Sequence, residues 1–284
     1  MSSKKIQALI QLFRPELPFA AGVCVVVGEV IASRGYPSLL DVALGFLCGA
    51  FISGSAIVSN DYFDLEVDRV NTPGRPLPMG TVTPGETIFF TIGTLVVGLA
   101  AAIGISLPAF GLCLALGLIS FLYNWKFKEA GLAGNLMVST CVALTFLLGG
   151  MAVGGIWNKT VWAFGLMAFF LDLGEEIAGD AMDVEGDKKR DSKSLAILYG
   201  RSFALRISSV LFGLVVLISF LPALFGWLGS SYLIVISLTD LLIGVSVVGL
   251  LKSRTPEEGR KFMRRIYLGA TFGVLAFIIG KILV

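Results

Sequence analysis

The sequence has no histidine in 284 residues. That excludes Ser-His-Asp and Cys-His catalysis, histidine zinc sites and imidazole general bases, leaving carboxylates, Lys, Tyr or a bound cofactor to carry any chemistry. Charge is scarce as well: Asp, Glu, Lys and Arg make up 15% of the chain, where a soluble domain carries roughly a quarter. The 22 basic and 20 acidic residues nearly cancel, to a net +2, and form no long basic run. No nucleic-acid partner is therefore expected. The four cysteines, Cys24, Cys48, Cys113 and Cys141, stand singly in apolar stretches. They lack the close spacing of a metal site or disulfide framework and read as small packing residues.

Apolar residues fill the space that charge leaves, at 56% of the chain and a mean hydropathy of +0.86. The expected solvent is lipid. The run after MSSKK, with Ile6, Leu9, Ile10 and Phe13 at helical spacing, is too interrupted for a signal peptide and predicts a helix lying in the membrane interface. Windows of about 20 residues, enough to cross about 30 Å of hydrocarbon, then recur. They fall near 17–33, 39–59, 86–106, 108–125, 133–153, 160–179, 203–224, 231–251 and 264–283. The predicted fold is all-α, a single polytopic membrane domain over 1–284 with nine transmembrane helices.

The basic residues give an independent check, because Lys and Arg collect in alternate, cytoplasmic loops when spans are placed correctly. With the N-terminus fall Lys4, Lys5, Arg14, Arg69, Arg75, Lys126, Lys128, Lys188, Lys189, Arg190, Lys193, Arg201, Arg206, Lys252, Arg254, Arg260, Lys261, Arg264 and Arg265. Only Arg34, Lys159 and Lys281 fall on the other side, so 19 of the 22 share one face. The expectation is a multi-pass protein of the cell membrane, with a cytoplasmic N-terminus and an external C-terminus.

Twelve of the 20 acids occupy two windows, each at the cytoplasmic end of a predicted span. Both contain the spacing Asp-x-x-Asp-x-x-x-Asp: Asp61, Asp64 and Asp68 in the first, Asp180, Asp183 and Asp187 in the second. The offset of 119 residues and four helices suggests two parallel halves, about 17–125 and 133–251, followed by a ninth helix over 264–283. If each segment continues helically, its three carboxylates line one face. Asn60 flanks the first triplet, and Glu176 extends the second backwards by a turn. A solvated helix face would mix signs at i, i+4, whereas these stripes are acidic only and lie beside the bilayer, where uncompensated charge is costly. Hard carboxylate oxygens suit Mg²⁺, which binds through a few carboxylates plus phosphate oxygens. Two facing triplets would hold two such ions bridged by one diphosphate.

These residues carry a family resemblance. NDYFDLEVDRVNTPGRPLP and GEEIAGDAMDVEGDKKRDSKSLA resemble the paired signatures of the UbiA superfamily of intramembrane prenyltransferases, and the nine-helix plan is similar over the whole chain. The resemblance implies that Asn60, Asp61, Asp64, Asp68, Asp180, Asp183 and Asp187, with Glu176, bind Mg²⁺ and diphosphate, and that Asp64, Asp68 and Asp183 are catalytic. It implies a Tyr and Lys pair in YNWKFK: Tyr123 with Lys126 or Lys128. Lys128 is favoured because it precedes a Gly-Asn turn at Gly134 and Asn135, as in archaeal members. Arg75, Lys193 and Arg14 are further cations for the diphosphate. Positive-inside topology and snorkelling explain these cations equally well.

The implied reaction breaks an allylic C–O bond, and the resulting carbocation alkylates an acceptor. Tyr62, Phe63, Phe121 and Tyr123 lie near the site in sequence and offer ring faces to a cation. The second motif and short loops resemble the archaeal ether-lipid members. The implied donor is then geranylgeranyl diphosphate and the implied acceptor geranylgeranylglyceryl phosphate. An aromatic acceptor of a quinone pathway is the alternative. From another class, a cation transporter would also place acids in the membrane, but near its middle and in broken helices. Glu29, Asp172 and Asp240, inside predicted spans, should face the bundle interior or a cavity; interhelical hydrogen bonding is the plain reading for Glu29 and Asp240, while Asp172, four residues before Glu176, would extend the acidic stripe towards the membrane. Asp41, at a helix start, reads as an N-cap.

Overall fold

The computed structural model describes residues 3–33, 35–185 and 192–282, and all regular structure in them is helical. The helices are α1 (Ser3–Phe13), α2 (Glu16–Ala32), α3 (Leu39–Phe63), α4 (Leu65–Asn71), α5 (Pro84–Ile105), α6 (Leu107–Leu122), α7 (Leu132–Ala152), α8 (Lys159–Met182), α9 (Leu195–Tyr199), α10 (Arg201–Ser219), α11 (Leu221–Leu224), α12 (Ser230–Lys252) and α13 (Pro256–Ile282). One π-helical turn, Tyr123–Phe127, follows α6.

Local sequence sets several of the starts. Ser38 caps α3 and Thr83 caps α5, each in a reciprocal capping box with the residue three positions on, Asp41 and Glu86. Asp41 is thus the returning partner of the box, and Ser38 the cap itself. Pro84 and Pro108 sit in the first turns of α5 and α6, where a missing N–H costs nothing.

Seven helices are long and apolar enough to cross a bilayer: α3, α5, α6 with the π turn, α7, α10 with α11, α12 and α13. The number becomes eight if α1 and α2, bent by 49° about Arg14, count as one broken span. The expected nine is not reached on these measures. α2 has 17 residues, and the apolar stretch of α8 carries Asp172, Glu175 and Glu176. α1 is the amphipathic helix expected. Its Ala8 and Leu12 are buried with Leu77 and Val82 of the segment between α4 and α5.

Helices consecutive in the chain pack side by side. α2, α3, α5 and α6 form one such series and α7, α8, α10 and α12 a second. α7 joins the series by packing on α2 and α6, and α13 lies on α12, α8 and α2. α3 and α8, which carry the two acidic motifs, hold the same place in each series.

Distance in sequence hid one contact. Cys48 and Cys113, read as isolated, meet between α3 and α6 with Sγ atoms 3.1 Å apart, both fully buried. Asp240 accepts from Ser219 at 2.6 Å, the interhelical bond expected of it, and Asp172 accepts from Ser139 at 2.8 Å. Glu29, for which the same bonding was expected, is fully buried against Gly45 of α3, and among the described residues neither of its oxygens has a partner.

Candidate active site

The first acidic motif does not continue as one helix. α3 ends at Phe63, and Asp64 leaves helical geometry (φ −85°, ψ 1°) before α4 begins. The expected single row of carboxylates therefore splits. Asp61 and Asp68 converge on Arg75, at 3.5 Å and 2.5 Å, and Asp61 also takes the guanidinium of Arg14. Asp64 turns the other way, to the ammonium of Lys128.

The second motif splits for the same reason. α8 ends at Met182, and Asp183 is its C-terminal cap. Asp180 accepts from Asn135 Nδ2 at 2.9 Å, whereas Asp183 is exposed and pairs with Arg260 at 2.6 Å. Asp187 lies outside the described residues. Among the described residues no three acids come close enough to hold a metal ion together. Asp64 and Asp180 nevertheless line one cavity, as facing motifs require.

That cavity, about 160 Å³, is lined by Asp64, Val67, Tyr123, Lys128, Glu129, Gly131, Asn135, Glu176, Asp180 and Ser192. Its donors are carboxylates, an amide, a phenol and a hydroxyl, all hard oxygen or nitrogen groups. Asp64, Glu176 and Asp180 each offer the carboxylate oxygens that suit Mg²⁺, which takes one or two carboxylates and keeps water or phosphate oxygens in the rest of its octahedral shell. Asp61, Asp68 and Asp183 do not line this cavity.

A second cavity, about 320 Å³, lies among α2, α3, α6 and α7. Ile52, Ile57, Leu116, Ile119, Met137, Val142 and Leu148 give it an apolar wall, while Arg14, Asn60, Tyr123 and Asn124 are among its polar lining. Tyr123 belongs to both cavities. Tyr62, Phe63, Phe121 and Trp125 instead form a run of ring contacts that lines neither cavity.

The π turn selects which lysine enters the site. Lys128 N donates to Tyr123 O, five residues back, at 2.9 Å. This wider turn stacks Lys128 on Tyr123, where an α-helical turn would stack Phe127. Lys126 is exposed. Gly134 and Asn135, expected in a turn, are helical residues of α7. A Cβ on Gly134 would lie 2.6 Å from Phe127 O, so glycine lets α7 pass the π turn. Gly131, at φ 60°, lies against the backbone of Lys193, and a Cβ there would meet Lys193 O at 2.0 Å. Lys193 has its N–H on Glu129 O at 3.0 Å and is exposed.

Two residues of this region gave little sign in the sequence. Arg260 was one basic loop residue among many, and its partner lies 77 positions away. Asn124 follows the tyrosine of YNWKFK and bonds three groups, described below. Its amide character beside that tyrosine was the only signal.

A carboxylate-lined chamber thus meets an apolar cavity at Tyr123 inside a bundle of apolar helices, the interior of a multi-pass membrane protein. The chain belongs to the UbiA prenyltransferase family, whose profile matches residues 21–272, and it is accordingly a prenyltransferase. It is 32% identical over 278 residues to digeranylgeranylglyceryl phosphate synthase of Pyrococcus abyssi, covering 98% of each chain. It is 36% identical over 279 residues to that of Methanopyrus kandleri, covering 96% of this chain and 98% of the relative. A solved digeranylgeranylglyceryl phosphate synthase structure superposes with a TM-score of 0.86 at 31% identity over 99% of both chains. A UbiA homolog from Archaeoglobus fulgidus, solved with GPP and Mg²⁺, shares the fold at a TM-score of 0.65 and 21% identity, over 95% of this chain and 99% of that one.

Proposed function

We propose that this prenyltransferase moves a geranylgeranyl group from geranylgeranyl diphosphate to the free hydroxyl of geranylgeranylglyceryl phosphate, with Mg²⁺ as cofactor. The observation that carries the reading is the junction at Tyr123 of a carboxylate chamber with an apolar cavity. The chamber suits a metal-bound diphosphate and the apolar cavity the first isoprene units. The archaeal relatives named above, similar over nearly the full chain, support this lipid acceptor over an aromatic one.

One or two of the chamber carboxylates Asp64, Glu176 and Asp180, with Asn60, would hold Mg²⁺, which would supply positive charge for the departing diphosphate. Lys128 adds a cation at the chamber wall for the same leaving group. The Tyr123 ring, which lines both cavities, would favour positive charge on the allylic carbon through its quadrupole. The acceptor hydroxyl captures the cation, forming the ether C–O bond, and its proton passes to the released diphosphate. Arg14 and Arg75 neutralise Asp61 and Asp68 beside the chamber.

We read α2 and α8 as crossing the membrane with the seven clearer spans, making nine helices in two halves plus α13. The two equivalent packing series support this division. The site then faces the cytoplasm with the N-terminus, and the C-terminus is external. The gathering of Arg14, Arg75, Lys128 and Arg260 about the acids supports that orientation.

The test supplies purified protein with labelled geranylgeranyl diphosphate, Mg²⁺, and either geranylgeranylglyceryl phosphate or 4-hydroxybenzoate, and identifies products by mass. An ether product with the glyceryl phosphate, abolished by EDTA, is expected. Product with the aromatic acid alone overturns the acceptor assignment.

A further inference from the structure

The side-chain amides of Asn60 and Asn124 form a chain whose polarity is set at one end. Asn124, in the π turn and 8% exposed, has its amide nitrogen 3.0 Å from Ala56 O and 2.9 Å from Ser59 Oγ. A backbone carbonyl only accepts, so the Asn124 nitrogen must face it, and Asn124 Oδ1 is left facing Asn60. There it accepts from Asn60 Nδ2 at 3.0 Å.

The consequence appears at the other end of Asn60. Its amide oxygen lies 3.1 Å from Asp64 Oδ2, acceptor beside acceptor, and its nitrogen lies 3.0 Å from Lys128 Nζ, donor beside donor. Turned end for end, the Asn60 amide would donate to Asp64 and accept from Lys128, but its oxygen would then stand 3.0 Å from Asn124 Oδ1. Protein groups alone leave like pairs in either orientation, two as Asn124 sets the amide and one if it is reversed. The orientation that Asn124 enforces leaves two hard oxygens side by side at Asp64, whose partner is the Lys128 ammonium; a divalent cation taking the ammonium's place there would relieve both like pairs. The reversed orientation, satisfied by the ammonium, would offer an N–H face instead.

We propose that Asn124 is a positioning residue: it turns the Asn60 amide so that its oxygen, beside Asp64, is presented as a paired donor to a divalent cation. This rests on the reading of Asn60 and Asp64 as cation-binding groups given under Proposed function. Asn124 acts through Asn60, as groups behind metal ligands orient them elsewhere. The π turn supplies the register. It sets Asn124 against α3 at Ala56 and Ser59 while Tyr123 and Lys128 line the chamber.

The experiment measures Mn²⁺ binding to the purified full-length protein in detergent, with inorganic diphosphate present, from the electron paramagnetic resonance signal of free Mn²⁺. Asn124→Ala is expected to weaken Mn²⁺ binding by about tenfold or more. In an Asn60→Ala background the same change should add nothing, because the residue it orients is gone. Asn124→Gln keeps both the amide N–H and the amide oxygen and should bind within a few-fold of the parent. Parental affinity in Asn124→Ala, or losses that multiply in the double variant, overturns the proposal. If Asn124→Ala does not yield folded protein, Asn124→Gln decides: binding as weak as in Asn60→Ala also overturns it. No Mn²⁺ binding by the parent sinks the cation reading of the whole site, an outcome distinct from binding that is indifferent to Asn124.

Discussion

Asp61 bears the most specific energetic prediction, because its surroundings differ from those of the other motif acids. Its side chain is 2% exposed and ion-paired to Arg14 and, at 3.5 Å, to Arg75. Arg75 keeps a second partner in Asp68 at 2.5 Å, whereas among the described residues Arg14 makes no other ion pair. Replacing Asp61 by Leu removes one charge-assisted hydrogen bond outright, a loss of about 1.5–3 kcal/mol. Arg14 is 27% exposed, so water rehydrates part of its charge, and the cost stays below the roughly 3–5 kcal/mol of a fully buried orphan. Arg14 also sits at φ 46°, in the left-handed region, at the bend between α1 and α2. That conformation costs on the order of 1 kcal/mol and persists only while something holds it. The Asp61 pair holds it together with two backbone bonds, Arg14 N–H to Ile10 O and Leu17 N–H to Arg14 O, each 3.0 Å. Asp61→Leu is therefore expected to destabilise by about 2–3 kcal/mol, lowering the thermal midpoint in detergent by on the order of 5 °C. Proteolytic cleavage at the Phe13–Glu16 elbow should quicken. Combining Asp61→Leu with Arg14→Gln should cost less than the sum of the two, since the second change removes the cation the first orphans. An unchanged midpoint, or additive losses, refutes the assignment of Asp61 as the anchor of the elbow.

Two further outcomes follow from the geometry. Lys128→Ala should lower kcat by on the order of 100-fold, while Lys126→Ala changes it little, because only Lys128 lines the chamber; equal losses in steady-state prenyl transfer would refute the role given to the π turn. Treatment with a membrane-permeant aromatic disulfide should take two electrons from Cys48 and Cys113, releasing two equivalents of aromatic thiol and joining the pair. Peptide mass mapping after denaturing alkylation should find that link and none to Cys24 or Cys141; free Cys48 and Cys113 thiols would contradict the 3.1 Å contact.

The helices were legible because each of their causes is local. Apolar runs of spanning length, Ser38 and Thr83 with their reciprocal acids, and prolines at first turns all act within a few residues. The site was legible as composition: two acidic motifs, a tyrosine and nearby cations. The facing of Asp64 and Asp180 across one cavity was not, because the repeat pairs Asp61 with Asp180 and Asp64 with Asp183. Which side chains meet was not legible. Asp64 and Asp183 stand at helix ends, where a change of one backbone dihedral redirects every carboxylate that follows. Regular helical spacing therefore overestimated their alignment. Arg260 and the Cys48–Cys113 contact depend on helix packing across long loops and leave no local trace.

The sequence by itself determined that this is a helical membrane protein with a carboxylate site and no use for imidazole, because hydropathy and residue type are properties of single positions. The tertiary structure decided which lysine enters the chamber and which acids take arginines. Those are questions of direction, and direction is settled only when the π turn packs on α3 and the helix ends at Asp64 and Asp183 set the course of the chain beyond them.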